Sequence, residues 1–209
     1  MGRKIVRFFV EGILIITIKL LFRVKKIGEE NVPKEGACVL CANHISNWDP
    51  LTLVVYTKRK VRTMAKEELF NSRFLRIIAW IFEVFSVKRG TGDIEAIKTS
   101  LKILKDSDIL AIYPEGTRKG MEKGVKPKNG AVLIALKAGV PIVPVAMQGN
   151  FKPFKKVRLI YGEPIYYNKE EIDTKNKDQI DELTNNLMKE IVSLRDADYT
   201  SKRLTKAKK

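Results

Sequence analysis

From residue 35 onward, apolar runs of strand length alternate with stretches of helical periodicity, and no other feature constrains the chain as much. Strands that alternate with helices pack as a mainly parallel sheet flanked by helices, an α/β domain. The runs predict strands over 37–41, 61–64, 85–88, 109–113, 142–147 and 157–161. The intervening patterns predict helices over 50–56, 67–82, 93–105, 130–137 and 178–194. In the last of these, Ile180, Leu183, Leu187, Ile191 and Leu194 recur at helical spacing and mark the side that covers the sheet. A chain of 209 residues with 44% hydrophobic content is long enough for a single domain with a full core.

The N-terminal stretch 5–24 is strongly apolar, yet its longest run free of charge is 12–18. That is far short of the roughly 20 residues a spanning helix needs. No small-residue cleavage site follows it, so a removable signal peptide fits poorly. On a helix, Lys4, Arg7, Glu11, Lys19 and Arg23 fall within an arc of about 160°. The remaining face of Val, Ile, Leu and Phe either lies in a lipid interface, with the cations toward the headgroups, or packs on the domain. The expected organisation is an amphipathic membrane-interface helix within 1–30, an α/β domain over 31–196, and a basic, disordered tail over 197–209.

Charge points to the class of partner. Forty Lys and Arg against 24 Asp and Glu leave a formal +16, a field that attracts either nucleic acid or an acidic leaflet. The sequence has no recognisable nucleic-acid-binding motif and no aromatic-rich basic strand, which favours anionic membrane lipids and no nucleic acid. The expected location is the cytoplasmic face of the cell membrane, as a peripheral or monotopic protein. The only cysteines, Cys38 and Cys41, do not form a disulfide framework. With His44 they lack a fourth metal ligand, and on a strand they point to opposite faces, so no metal is expected.

His44 is the only histidine, so any imidazole chemistry near neutral pH belongs to it. It lies in the run Asn43-His44-Ile45-Ser46-Asn47-Trp48-Asp49-Pro50, directly after an apolar strand. In open α/β sheets, ligands bind beyond the carboxyl ends of the strands. Five residues along a straight helix turn about 500°, so His44 and Asp49 can meet only across a turn. Asn47, Asp49 and Pro50 are turn and helix-start residues, and Pro50 suits the first helical position. Asp49 then has two readings. It orients the imidazole as the acid of a triad does, or it caps the helix that starts at Pro50.

A second polar cluster, Tyr113-Pro114-Glu115-Gly116-Thr117-Arg118, follows another strand, and Gly116 permits a sharp turn there. A third strand ends at Val87-Lys88-Arg89-Gly90. Two guanidinium groups facing one pocket would suit a phosphate monoester, whereas each arginine alone reads as a solvated surface charge.

These blocks together resemble the glycerolipid acyltransferases. The matching positions are the His-x4-Asp block at His44 and Asp49, the block from Glu83 to Arg89, Glu-Gly-Thr-Arg at Glu115, Gly116, Thr117 and Arg118, and Val-Pro-Ile-Val-Pro from Val140 to Pro144. They occur in family order over 43–144, with a Gly-Glu-Pro signature at 162–164. Within that family the chain is most similar to the enzymes that acylate lysophosphatidic acid. The resemblance implies His44 as general base and Asp49 as its partner. It implies a phosphate-binding rim of Arg89 with Glu115, Gly116, Thr117 and Arg118. The implied substrates are lysophosphatidic acid and an acyl thioester, either acyl-CoA or acyl-acyl carrier protein, with no cofactor. The chain departs from the family in its second block, where members often carry Gly in place of Glu83 and Phe or Pro in place of Ser86. Acceptors such as glycerol 3-phosphate or another lysophospholipid remain open, as do the different classes of a basic nucleic-acid-binding protein and a noncatalytic lipid-binding module. The stretch 74–82 reads either as shelter for an acyl chain or as core.

Overall fold

The computed structural model describes residues 2–88, 93–168 and 170–197. Seven strands form one sheet in the order β1-β7-β6-β2-β5-β3-β4. They are β1 (Arg23–Ile27), β2 (Cys38–Ala42), β3 (Val61–Lys66), β4 (Phe85–Val87), β5 (Ile109–Ile112), β6 (Ile142–Gly149) and β7 (Lys156–Tyr161). All neighbouring pairs are parallel except β6 with β7. The helices are α1 (Gly2–Leu21), α2 (Asp49–Tyr56), α3 (Arg73–Ile81), α4 (Ile94–Lys105), α5 (Gly130–Ala138) and α6 (Lys177–Asp196). The mainly parallel α/β architecture expected from the alternation is therefore the observed one.

The central strands β2 and β5 are buried throughout, as continuous apolar runs in a parallel sheet must be. Alternate residues of β2 feed two cores. Val39 and Cys41 pack under α4, α5 and α6, while Cys38, Leu40 and Ala42 pack on the opposite side with Leu53, Leu159 and Tyr161. The two cysteines are thus separated by the sheet, and burial pushes the Cys38 thiol up to about 12 and the Cys41 thiol higher still.

Two boundaries differ from the expectation. The N-terminal helix stops at Leu21, and 23–27 pairs with β7 as an edge strand, so the sheet begins inside the stretch assigned to an interface helix. Arg23, Lys25 and Lys26 hid that strand because an edge tolerates charge that a central strand excludes. The helix expected over 67–82 is broken: a 3-10 turn, Glu67–Asn71, precedes α3, and the Ser72 hydroxyl accepts from Leu75 N at 3.4 Å as the cap. Of the basic tail expected over 197–209, residues 198–209 lie outside the described residues.

Glu83 follows α3 with φ of 52°. In this left-handed conformation a side chain costs about 1 kcal/mol relative to glycine. In this chain Glu83 pairs with Arg62 and, at 3.1 Å, with Lys60, tying the end of α3 to β3.

Candidate active site

Four strands deliver their carboxyl ends to one side of the sheet: β2 into His44, β5 into Tyr113, β3 into Lys66 and β4 into Lys88. Because β2 and β5 are neighbours, with Cys41 opposite Ile112, the loops that leave them are held side by side. Asn43, fully buried, fixes the first loop. Its amide accepts from Met147 N at 2.6 Å and donates to Met147 O at 3.1 Å, copying a strand-to-strand pairing onto β6.

The chain then turns so that His44 and Asp49 meet. His44 Nδ1 lies 2.7 Å from Asp49 Oδ2. The same oxygen accepts the main-chain N–H groups of Ile45 at 2.6 Å and Ser46 at 2.7 Å. Asp49 is fully buried and sits in the first turn of α2, but its carboxylate faces the preceding loop instead of capping the helix. Of the two readings open for Asp49, the geometry matches the orienting partner. A carboxylate only accepts, so Nδ1 carries the proton and Nε2 is left with a free lone pair. The His44 ring also rests against Tyr113, with ring centroids 4.8 Å apart. Burial, and then the charge of Asp49, push the Tyr113 phenol well above its ordinary range.

Glu115 was expected on a phosphate-binding rim, but its carboxylate points inward. It is buried, accepting His44 N at 2.7 Å through one oxygen and Met121 N at 2.9 Å through the other. A second bond joins the same loops, from Lys119 N to His44 O at 2.6 Å. Gly120 gives Glu115 its room, since a Cβ there would come within 2.9 Å of the Glu115 Cβ.

His44 borders a cavity of about 380 Å³ with mainly apolar walls, among them Met64, Leu69, Ile97 and Ile134. Gly116, at φ of 61°, lines it too, and Lys128 lies across that turn, 3.1 Å from where a Gly116 Cβ would stand. Thr117 and Arg118 lie one step beyond Gly116, with Arg118 exposed, and neither is part of the wall. Arg89 lies outside the described residues. Among the described residues, the cations that line the cavity are Lys66, Lys88 and Lys128. Sequence reasoning missed them because 40 basic residues gave no reason to prefer three lysines. Lys88 nevertheless stands at the end of a predicted strand, which was a usable signal.

A histidine–aspartate pair at the carboxyl end of a parallel sheet, beside an apolar cavity with cations at its wall, is equipped to take a proton from a hydroxyl on an anionic, lipid-like molecule. Comparison with known proteins accords with that chemistry. The family model described as Acyltransferase matches residues 23–148. The chain belongs to the acyltransferase family. Among related acyltransferases, the 1-acyl-sn-glycerol-3-phosphate acyltransferase of Bacillus subtilis (strain 168) is 35% identical over 165 residues, which cover 76% of this chain and 81% of the relative. The probable 1-acyl-sn-glycerol-3-phosphate acyltransferase of Mycoplasma pneumoniae is 29% identical over 192 residues, covering 81% and 70%. The crystal structure of the 1-acyl-sn-glycerophosphate acyltransferase from Thermotoga maritima has the same fold, with a TM-score of 0.62 at 22% identity, covering 93% of this chain and 84% of that one. The match of the acyltransferase family begins at β1 and ends in β6, so the histidine loop, the cavity wall and the Glu115 turn all fall inside it.

Proposed function

We propose that this acyltransferase transfers a fatty acyl group from an acyl thioester to the sn-2 hydroxyl of lysophosphatidic acid, giving phosphatidic acid. The single observation that carries the reading is His44 on the wall of the cavity, paired with buried Asp49 at 2.7 Å. The names of the two sequence relatives support the acceptor.

An alcohol is a weak nucleophile at neutral pH because so little of it is alkoxide. His44 Nε2 takes the hydroxyl proton as the oxygen attacks the thioester carbonyl. The tetrahedral intermediate collapses, the carbon–sulfur bond breaks, and the imidazolium returns its proton to the departing thiolate. Asp49 holds the ring in the required tautomer and offsets the positive charge that forms on it. Proton transfer of this kind contributes about 10² to 10⁴ in rate, with positioning of both substrates contributing further. Glu115 acts one step back, as a positioning residue, by fixing the main chain at His44. The acceptor phosphate is held by Lys128 and Lys66 at the cavity wall, and the family resemblance implies Arg89 and Arg118 for the same role. The apolar walls take up acyl chain.

Both the acceptor and the product live in lipid, so the protein works at a membrane surface. Among the described residues no helix is long and apolar enough to cross a membrane. In α1, Ile5, Phe8, Phe9, Ile13, Ile16 and Leu20 are exposed and fall within an arc of about 140°. Ile18 on the other side is buried against the domain. An exposed apolar stripe on a helix that does not span is suited to the headgroup boundary of an anionic leaflet.

The test is direct. Purified protein is given lysophosphatidic acid with acyl-CoA or acyl-acyl carrier protein, and the lipid product is identified by mass. Formation of phosphatidic acid, slowed at least about a hundredfold by His44→Ala, is expected. Acylation of glycerol 3-phosphate in preference to lysophosphatidic acid would overturn the assigned acceptor, and no acyl transfer with either donor would overturn the activity.

A further inference from the structure

The stretch expected as core or as shelter for an acyl chain is neither along its whole length. In α3, Ala79 and Ile81 are buried and Ile78 lines a smaller cavity of about 130 Å³ between α2, α3 and β3. Phe74, Ile77 and Trp80 are 68%, 55% and 51% exposed. Plotted on the helix, Arg76, Trp80, Arg73, Ile77 and Phe74 occupy one outer arc of about 160°. The outer face thus mixes three large apolar side chains with two arginines, and the helix carries no acid. A soluble surface has little use for Phe, Ile and Trp side by side on one short helix. Apolar side chains interleaved with arginine suit a lipid interface, where the apolar groups enter the acyl region and the guanidinium groups reach back to phosphate.

Two further observations select lipid over another occupant. First, α3 packs against α1, the helix that carries the other exposed apolar stripe. Second, α3 packs on the turn that carries Leu69, and Leu69 is exposed while lining both cavities. A leaflet resting on α3 therefore meets the cavity wall. We propose that α3 is a second lipid-inserting element, which with α1 seats the domain on an anionic leaflet and sets its orientation there. This rests on the membrane placement proposed above and extends it to a particular helix.

The protein has two tryptophans, Trp48 and Trp80. In the Trp48→Phe variant, Trp80 is the sole reporter. Its emission is measured with vesicles of phosphatidylcholine and phosphatidylglycerol, with and without brominated acyl chains. A blue shift and clear quenching by the brominated lipid are expected, and Ile77→Glu is expected to weaken vesicle affinity roughly tenfold. The unsubstituted protein supplies a second measurement, in which hydrogen exchange over 73–81 slows when vesicles are added. Vesicle binding with Trp80 emission and exchange over 73–81 unchanged would overturn the role of α3 while leaving α1 as the anchor. Failure to bind vesicles at all would overturn the membrane placement and this inference with it. A lipid-free dimer that Ile77→Glu dissociates, with no quenching by brominated lipid, would assign the face to a second copy instead.

Discussion

His44 Nδ1 sits 2.7 Å from Oδ2 of Asp49, and that one oxygen also accepts two main-chain N–H groups of the intervening loop. The carboxylate therefore shapes the loop and orients the ring together. His44→Ala removes the base and leaves the loop bonds in place, so kcat/KM should fall by about 10² to 10⁴ with folding intact. Asn at position 49 can still accept all three bonds through its amide oxygen but lacks the charge that steadies an imidazolium. Asp49→Asn should thus lose less than His44→Ala, yet well over tenfold in kcat. Wild-type turnover in Asp49→Asn would remove any role for that charge.

Glu115 separates positioning from contact. In Glu115→Gln, one of the two main-chain donors, from His44 or Met121, faces an NH2 group and is left unsatisfied. Leaving a buried donor unpaired costs about 1–3 kcal/mol. The urea midpoint should drop accordingly and kcat should fall, while the KM for lysophosphatidic acid stays close to the parent value. A large rise in that KM with unchanged stability would instead make Glu115 a substrate contact.

Lys128→Ala should raise the KM for the phosphate-bearing acceptor far more than that for the acyl donor, and should flatten the dependence of acceptor KM on salt. Steady-state kinetics with each substrate varied in turn checks this. Equal effects on the two substrates would place the acceptor phosphate elsewhere.

Both thiols are buried on a central strand, with Cys38 raised to about 12 and Cys41 beyond it. The thiolate is the reactive species, so neither should react with Ellman's reagent in the folded protein at neutral pH. Both should react once denaturant is added. Rapid labelling of the native protein would contradict the packing of β2.

Tyr161 and Tyr167 are held at about 12 by burial, and Tyr113 lies well above its ordinary range for the same reason. The unfolded phenols titrate near pH 10. Below that pH both states keep the proton and the shift has no effect. Above it the unfolded state releases protons that the folded state retains, so stability falls as pH rises from about 10 toward 12. With Tyr56, Tyr166 and Tyr199 replaced by phenylalanine, phenolate absorbance should appear together with loss of helical circular dichroism. Phenolate absorbance that titrates smoothly before any unfolding would show these rings to be open to solvent.

Much of the fold was legible because its strands are central ones. Residues 38–42, 109–112 and 142–147 are apolar throughout, and only a sheet covered on both faces requires that. Edge strand β1 was missed because its cations are tolerated where one side of a strand faces water. The break at Ser72 was missed because periodicity in 73–81 is equally good with or without a cap before it. At the site, His44 was legible as the only histidine, whereas spacing left Asp49 between orienting the ring and capping α2. The inward turn of Glu115 was not, since Glu-Gly-Thr-Arg reads the same whether its acid faces a ligand or a backbone.

By itself the sequence determined the layer architecture, the sole imidazole and the cationic character, because each follows from local pattern or composition. Tertiary structure alone decided which lysines among 40 basic residues line the cavity, that Glu115 braces the His44 loop, and that α1 and α3, each with exposed apolar side chains, pack against one another. Those relationships join residues far apart in the chain, and their distances are fixed by strand order and packing, which no single segment encodes.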